Sequence, residues 1–123
     1  MTDRRPGQTP SSEADENLLA LLGLARRAGK LAMGAMAVEK LVRVGARPVV
    51  VVARDAGASQ RRRWLQLRPV RGFVSDRLGR DELAQRLGRQ DLAVVAVAAR
   101  GFVNGLRKLG VVAEPNEDSA ASS

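Results

Sequence analysis

Arg26, Arg27, Lys30 and Lys40 fall close together around Gly34 in the first half of the chain. Cations gathered about a glycine that separates a strand from a helix suit the capture of an anion. A glycine there lets another molecule approach the backbone, and the amides of the helix start point outward where the dipole favours negative charge. A nucleic-acid phosphate fits this arrangement; a tight turn beside ordinary surface cations is the plainer reading. Other chemistries are removed by composition. The chain has no cysteine and no histidine, which excludes disulfides, thiolate or imidazole metal sites, and nucleophilic schemes built on Cys or His. No zinc, Walker or dinucleotide fingerprint is present. The adjacent carboxylates Asp81 and Glu82 stand at the start of a predicted helix, where capping accounts for them. Neither catalysis nor a cofactor is expected.

The charge distribution says more than its total of +8. Residues 17–112 hold 19 Lys/Arg against 6 Asp/Glu, while the flanking stretches hold 2 basic and 7 acidic residues. A segment so basic draws in polyanions. Genome base bias can put Arg in place of Lys, but it does not explain the scarcity of acids. Only three aromatic residues occur, Trp64, Phe73 and Phe102, too few for a module that reads single strands by stacking bases. Contact with folded RNA through phosphate and shape fits better.

The elements that must position these groups follow from periodicity and punctuation. Residues 1–15 read as a disordered tail, with Ser12 or Asp15 as a cap for a helix over 17–28. Gly29 stops that helix, residues 30–33 can form only a short strand, and Gly34 breaks it. A second helix runs from Met36 to Gly45, and Val49–Ala53 is a β-branched run of the kind covered on both faces. A third helix starts at Ala58 or Ser59. Its Arg61, Arg62 and Arg63 spread over roughly 200° of face at about 100° per residue, so they cannot all serve one phosphate groove. Residues 70–74 form a strand, 81–87 a short helix ended by Gly88, 92–98 a second central strand, and Phe102 to Leu109 a final amphipathic helix. Residues 113–123 read as an acidic disordered tail. Helices and strands alternating in this way predict an α/β fold: a single three-layer α/β/α sandwich, about four-stranded, with helices on both faces of the sheet.

Taken together, LLGLARRAGKLAMG, KLVRVGARPVVVVARD, DELAQRLG and GFVNGLRKL resemble, in order and spacing, the kink-turn-binding ribosomal protein superfamily. Its archetypes are ribosomal proteins L-seven-Ae and L-thirty-e, and the likeness is to the bacterial branch over residues 17–110. The resemblance implies the same sandwich, occupying 16–112. It also implies an RNA contact at the start of the second helix, where family members carry Gly-Thr-Asn-Glu and a later lysine. Gly34 and Lys40 match the glycine and lysine; Ala35, Met36 and Ala37 stand at the other three positions. Neither Met nor Ala can hydrogen-bond a base edge, and each good bidentate contact is worth about 1–3 kcal/mol of discrimination. The loop implied to lie against RNA is here Arg89-Gln90-Asp91.

The expectation is a non-enzymatic, cytoplasmic, monomeric protein that binds structured RNA, kink-turn-like or ribosomal, in ribosome assembly or translation. Neither a membrane nor a cofactor is expected as partner; ribosome or assembly proteins are. The expected contacts are Lys30, Gly34, Ala35, Met36 and Lys40, with Arg26, Arg27 and Arg89 around them. The rival is a protein-docking module that kept the fold and uses Met36 and Ala37 as an apolar patch.

Overall fold

The valine run at 49–52 organises the molecule: all four side chains are buried, each worth roughly 1.5–3 kcal/mol of transfer from water. The computed structural model describes residues 13–115. Its elements are α1 (Glu13–Arg27), β1 (Leu31–Met33), α2 (Ala35–Arg43), β2 (Val49–Val52), α3 (Ala58–Leu65), β3 (Gly72–Val74), α4 (Arg80–Leu87), β4 (Val94–Val97) and α5 (Arg100–Lys108). The strands form one mixed sheet in the order β1-β4-β2-β3. β4 is antiparallel to both β1 and β2, and β2 and β3 are parallel.

β2 and β4, the two continuous apolar runs, occupy the two central places. Helix α1 packs on α4 and α5, α2 lies on β1 and β4, and α3 lies on β2. An ion pair between Glu39 and Arg63 ties α2 to α3. Gly105 lets α5 close onto α1, since a Cβ there would stand 3.0 Å from Leu21 Cδ2. The result is the expected α/β sandwich.

Several element ends shift from expectation, and three differences bear on the limits of the domain and the sheet. Helix α1 begins at Glu13, so residues 13–15 belong to the domain. Its Glu13, Asp15 and Glu16 occupy the first turn, where the helix dipole favours acids; the acidity that reads as a tail is what suits a helix start. Asp15 is therefore not the cap. It lies inside the first turn, buried, with Arg77 Nη1 at 3.7 Å. Ser12 and the rest of the expected N-terminal tail lie outside the described residues. Strand β3 starts at Gly72 rather than Val70, because its partner at the next position back from Val49 is Pro48, which has no N–H for the ladder. Residues 113–115 are likewise part of the domain. Ala113 and Phe73 exchange both backbone hydrogen bonds, at 2.8 and 2.7 Å, and Pro115 is buried.

Candidate nucleic-acid interface

Gly34 joins β1 to α2 with φ +92° and ψ 166°, a conformation open essentially to glycine alone. Its N–H donates to the Val94 carbonyl at 2.9 Å, and its carbonyl accepts from Val38 N–H at 3.0 Å. One residue thus ends a strand pairing and opens a helix. No side chain caps that start, and its first turn holds no acid. The first amides of α2 therefore have no side-chain acceptor at the helix start.

Beside this start lies an open cavity of about 390 Å³, lined by Gly34 and Ala35, by Gly57 and Gln60 at the start of α3, and by Arg80 at the start of α4. Ala56, Trp64 and the 91–94 segment complete it. Three helix starts therefore border one hollow whose wall is mostly apolar. Its rim is held by local bonds: Arg80 Nε and Nη2 donate to Asp91 Oδ1 at 3.1 and 2.8 Å. That hydrogen bond, and then the Asp91 charge, hold the Arg80 pKa above its ordinary value. Trp64 Nε1 donates to Gln60 Oε1 at 3.2 Å.

The expected contact residues do not form one cluster. Gly34, Ala35, Met36 and Lys40 do come together: Met36 and Lys40 are a turn apart and share a face, and both are exposed. Met36 is 84% exposed, so it stands out as an apolar group beside the open amides. Arg89 is exposed two residues before Asp91, on the loop that reaches the cavity. Arg26 and Arg27 line a separate hollow with Arg86 on the α1 and α4 side. The Arg26 guanidinium rests over Gly88, where an added Cβ would lie 3.3 Å from Nη2.

Lys30 is separated from Gly34 by the length of β1, about 13 Å at roughly 3.3 Å per residue. It lines another hollow with Ala98 and Ala99, at the opposite end of the sheet. Of the arginine triplet, Arg61 pairs with Asp76 at 3.0 Å. Arg63 pairs with Glu39 and lies 4.8 Å over the Trp64 ring. Arg62 is left exposed. Gln60, Gly57 and Arg80 are cavity residues that sequence reasoning misses; the Gly57 and Gly79 helix starts are the available signal.

No protein-family model and no curated protein matches the sequence. Among solved structures, a Bacillus halodurans protein of unknown function is 33% identical, covers 74% of this chain and 93% of its own, and superposes with a TM-score of 0.60. The chain belongs to the family of that protein. The fold also matches the Giardia lamblia 15.5kD RNA binding protein, with a TM-score of 0.61, 20% identity, and coverage of 86% of this chain and 93% of that one. The sandwich expected from the sequence is thus a fold that an RNA-binding protein also has. Among the described residues no helix is long and apolar enough to cross a membrane, and no group of His, Cys, Asp or Glu could hold a metal ion.

Proposed function

We propose that this protein is a non-enzymatic RNA-binding protein that grips structured RNA at the α2 start. The observation that carries the reading is the uncapped, acid-free helix start behind Gly34, opening beside the cavity and the 89–91 loop. Backbone amides there bind phosphate without sequence choice, and Lys40 adds a point charge. The apolar cavity suits a base turned out of its stack, as RNA loops and bulges provide. Met36 gives apolar contact to such a base and no edge reading. Its fold is also that of a protein described as RNA binding, which agrees with the reading. Kink-turn-like or ribosomal RNA is the natural substrate class, met by a monomer in the cytoplasm.

The test is binding to a kink-turn RNA and to a plain duplex of equal length, measured across a salt series. A kink-turn preference that survives high salt supports recognition by the Gly34–Ala37 backbone. Equal, steeply salt-dependent binding to both marks a general phosphate surface. No binding to either at low salt overturns the reading and favours docking of a protein on Met36.

A further inference from the structure

The sheet register places a second group of cations at the end far from Gly34. Val97 pairs with Leu31 and Val49, and Val49 pairs with Gly72. Arg71, just before β3, and Arg100, just after β4, therefore emerge at the same end. With Val103, Asn104 and Arg107 they line an open cleft of about 240 Å³. Arg100, Asn104 and Arg107 are spaced four and three residues apart on α5, which sets them on one face of the helix.

Among the described residues no carboxylate lines this cleft. Of its three arginines only Arg107 has an ion-pair partner among the described residues, Glu114 at 3.3 Å. Both side chains of that pair are largely open to water, 42% and 72% exposed, so the bond is weak and easily exchanged. Arg100 is also the first residue of α5, whose start has no side-chain cap and no acid in its first turn. A cation there opposes the helix dipole. Three guanidiniums, an amide side chain and an uncapped helix start share one recess, and a bound anion would relieve their mutual repulsion.

The cleft does not stand alone. Arg71 N–H donates to the Pro48 carbonyl at 2.8 Å, which brings exposed Arg47 alongside. Lys30 lines the adjoining hollow with Ala98 and Ala99, just before Arg100. Several cations at one end of the sheet fit a chain of phosphates better than a single ion.

We propose that Arg71, Arg100, Asn104 and Arg107 form a second RNA-backbone site, which takes adjacent phosphates independently of the α2 start. Guanidinium forks match phosphate oxygens two at a time, and the Asn104 amide supplies a further donor. Glu114, held in place by the Ala113–Phe73 pairing, occupies Arg107 until a phosphate replaces it. The ligand class rests on the RNA reading above, but the site does not depend on where else RNA binds.

The test is an NMR titration of the full chain with a kink-turn RNA flanked by duplex, following backbone amides and arginine Nε–Hε signals. Shifts at Arg71, Arg100, Asn104 and Arg107 are the expected result. Shifts confined to residues 34–37 and 91–94 overturn the second site and leave the α2 reading standing. Shifts confined to the α5 cleft do the reverse. A chain that shows none at either place refutes both. In parallel, Arg71→Gln with Arg100→Gln should lower the slope of log affinity against log salt by about 2, at roughly 0.9 per phosphate lost. Glu114→Gln should raise affinity about twofold to threefold, by an argument from weak surface pairs. An unchanged slope in a double variant that keeps the wild-type fold by circular dichroism overturns the site.

Discussion

The starts of α2 and α4 border the same cavity and are built in opposite ways. At α4 the chain supplies its own acceptors. Glu82 Oε1 accepts the Gly79 N–H at 2.7 Å, and Asp55 Oδ1 accepts the Arg80 N–H at 2.9 Å. Asp81 and Glu82 fill the first turn. At α2 there is no cap and no acid, and the side chains are Ala35, Met36 and Ala37. The first start is closed by its own carboxylates and serves the fold. The second has no such acceptors of its own. A helix start is therefore informative only when its own chain leaves it unneutralised.

The largest effect should come from removing the glycine that makes the α2 start possible. Gly34→Ala meets no atom within 4 Å, so any cost is purely one of backbone conformation. It should destabilise the protein by about 1–3 kcal/mol, the penalty of that φ/ψ region for a residue with a Cβ, read as a lowered midpoint in urea. A midpoint equal to wild type would show that the turn is not held as described. Next comes α4. Glu82→Ala removes a cap and the Arg54 ion pair at 3.0 Å, and should cost about 0.5–2 kcal/mol while RNA affinity stays the same.

Met36→Asp makes α2 resemble α4 and should move two quantities in opposite directions. Stability should rise by about 0.3–1 kcal/mol through the dipole, whereas RNA affinity should fall roughly tenfold, about 1.4 kcal/mol. Stability and affinity moving together would break the contrast between the two starts. The smallest effect belongs to the arginine triplet. Arg62→Ala should change stability by less than about 0.5 kcal/mol. Arg63→Ala should cost more, because it removes the contact with Trp64 and the ion pair with Glu39. Equal thermal midpoints for the two variants would contradict that ranking.

Much of the fold is legible in the chain itself. The valine run, the 92–98 run and the glycines after helices predict the elements, and Asp81 and Glu82 do stand at a helix start. The α1 start escapes such a reading because acids also mark tails by composition, and only their position in a first turn reveals the favourable dipole contact. Nearness in sequence groups Lys30 with Gly34, yet an extended strand between them carries each to a different end of the sheet. Gln60 and Arg80 escape because they reach the cavity from helices far along the chain.

Helix and strand segments, the two central strands and the strong basic charge can all be read in the chain. Those are local or compositional properties: periodicity, β-branching, glycine punctuation and charge count. The insertion of β4 between β1 and β2, against the direction of both, is a matter of tertiary packing. That insertion seats Val94 on Gly34 and brings the 89–91 loop beside the α2 start. It also sends Arg100 to the far end, beside Arg71. Strand order is set by which apolar faces and backbone edges find one another across long separations, and no local pattern in the chain records that choice.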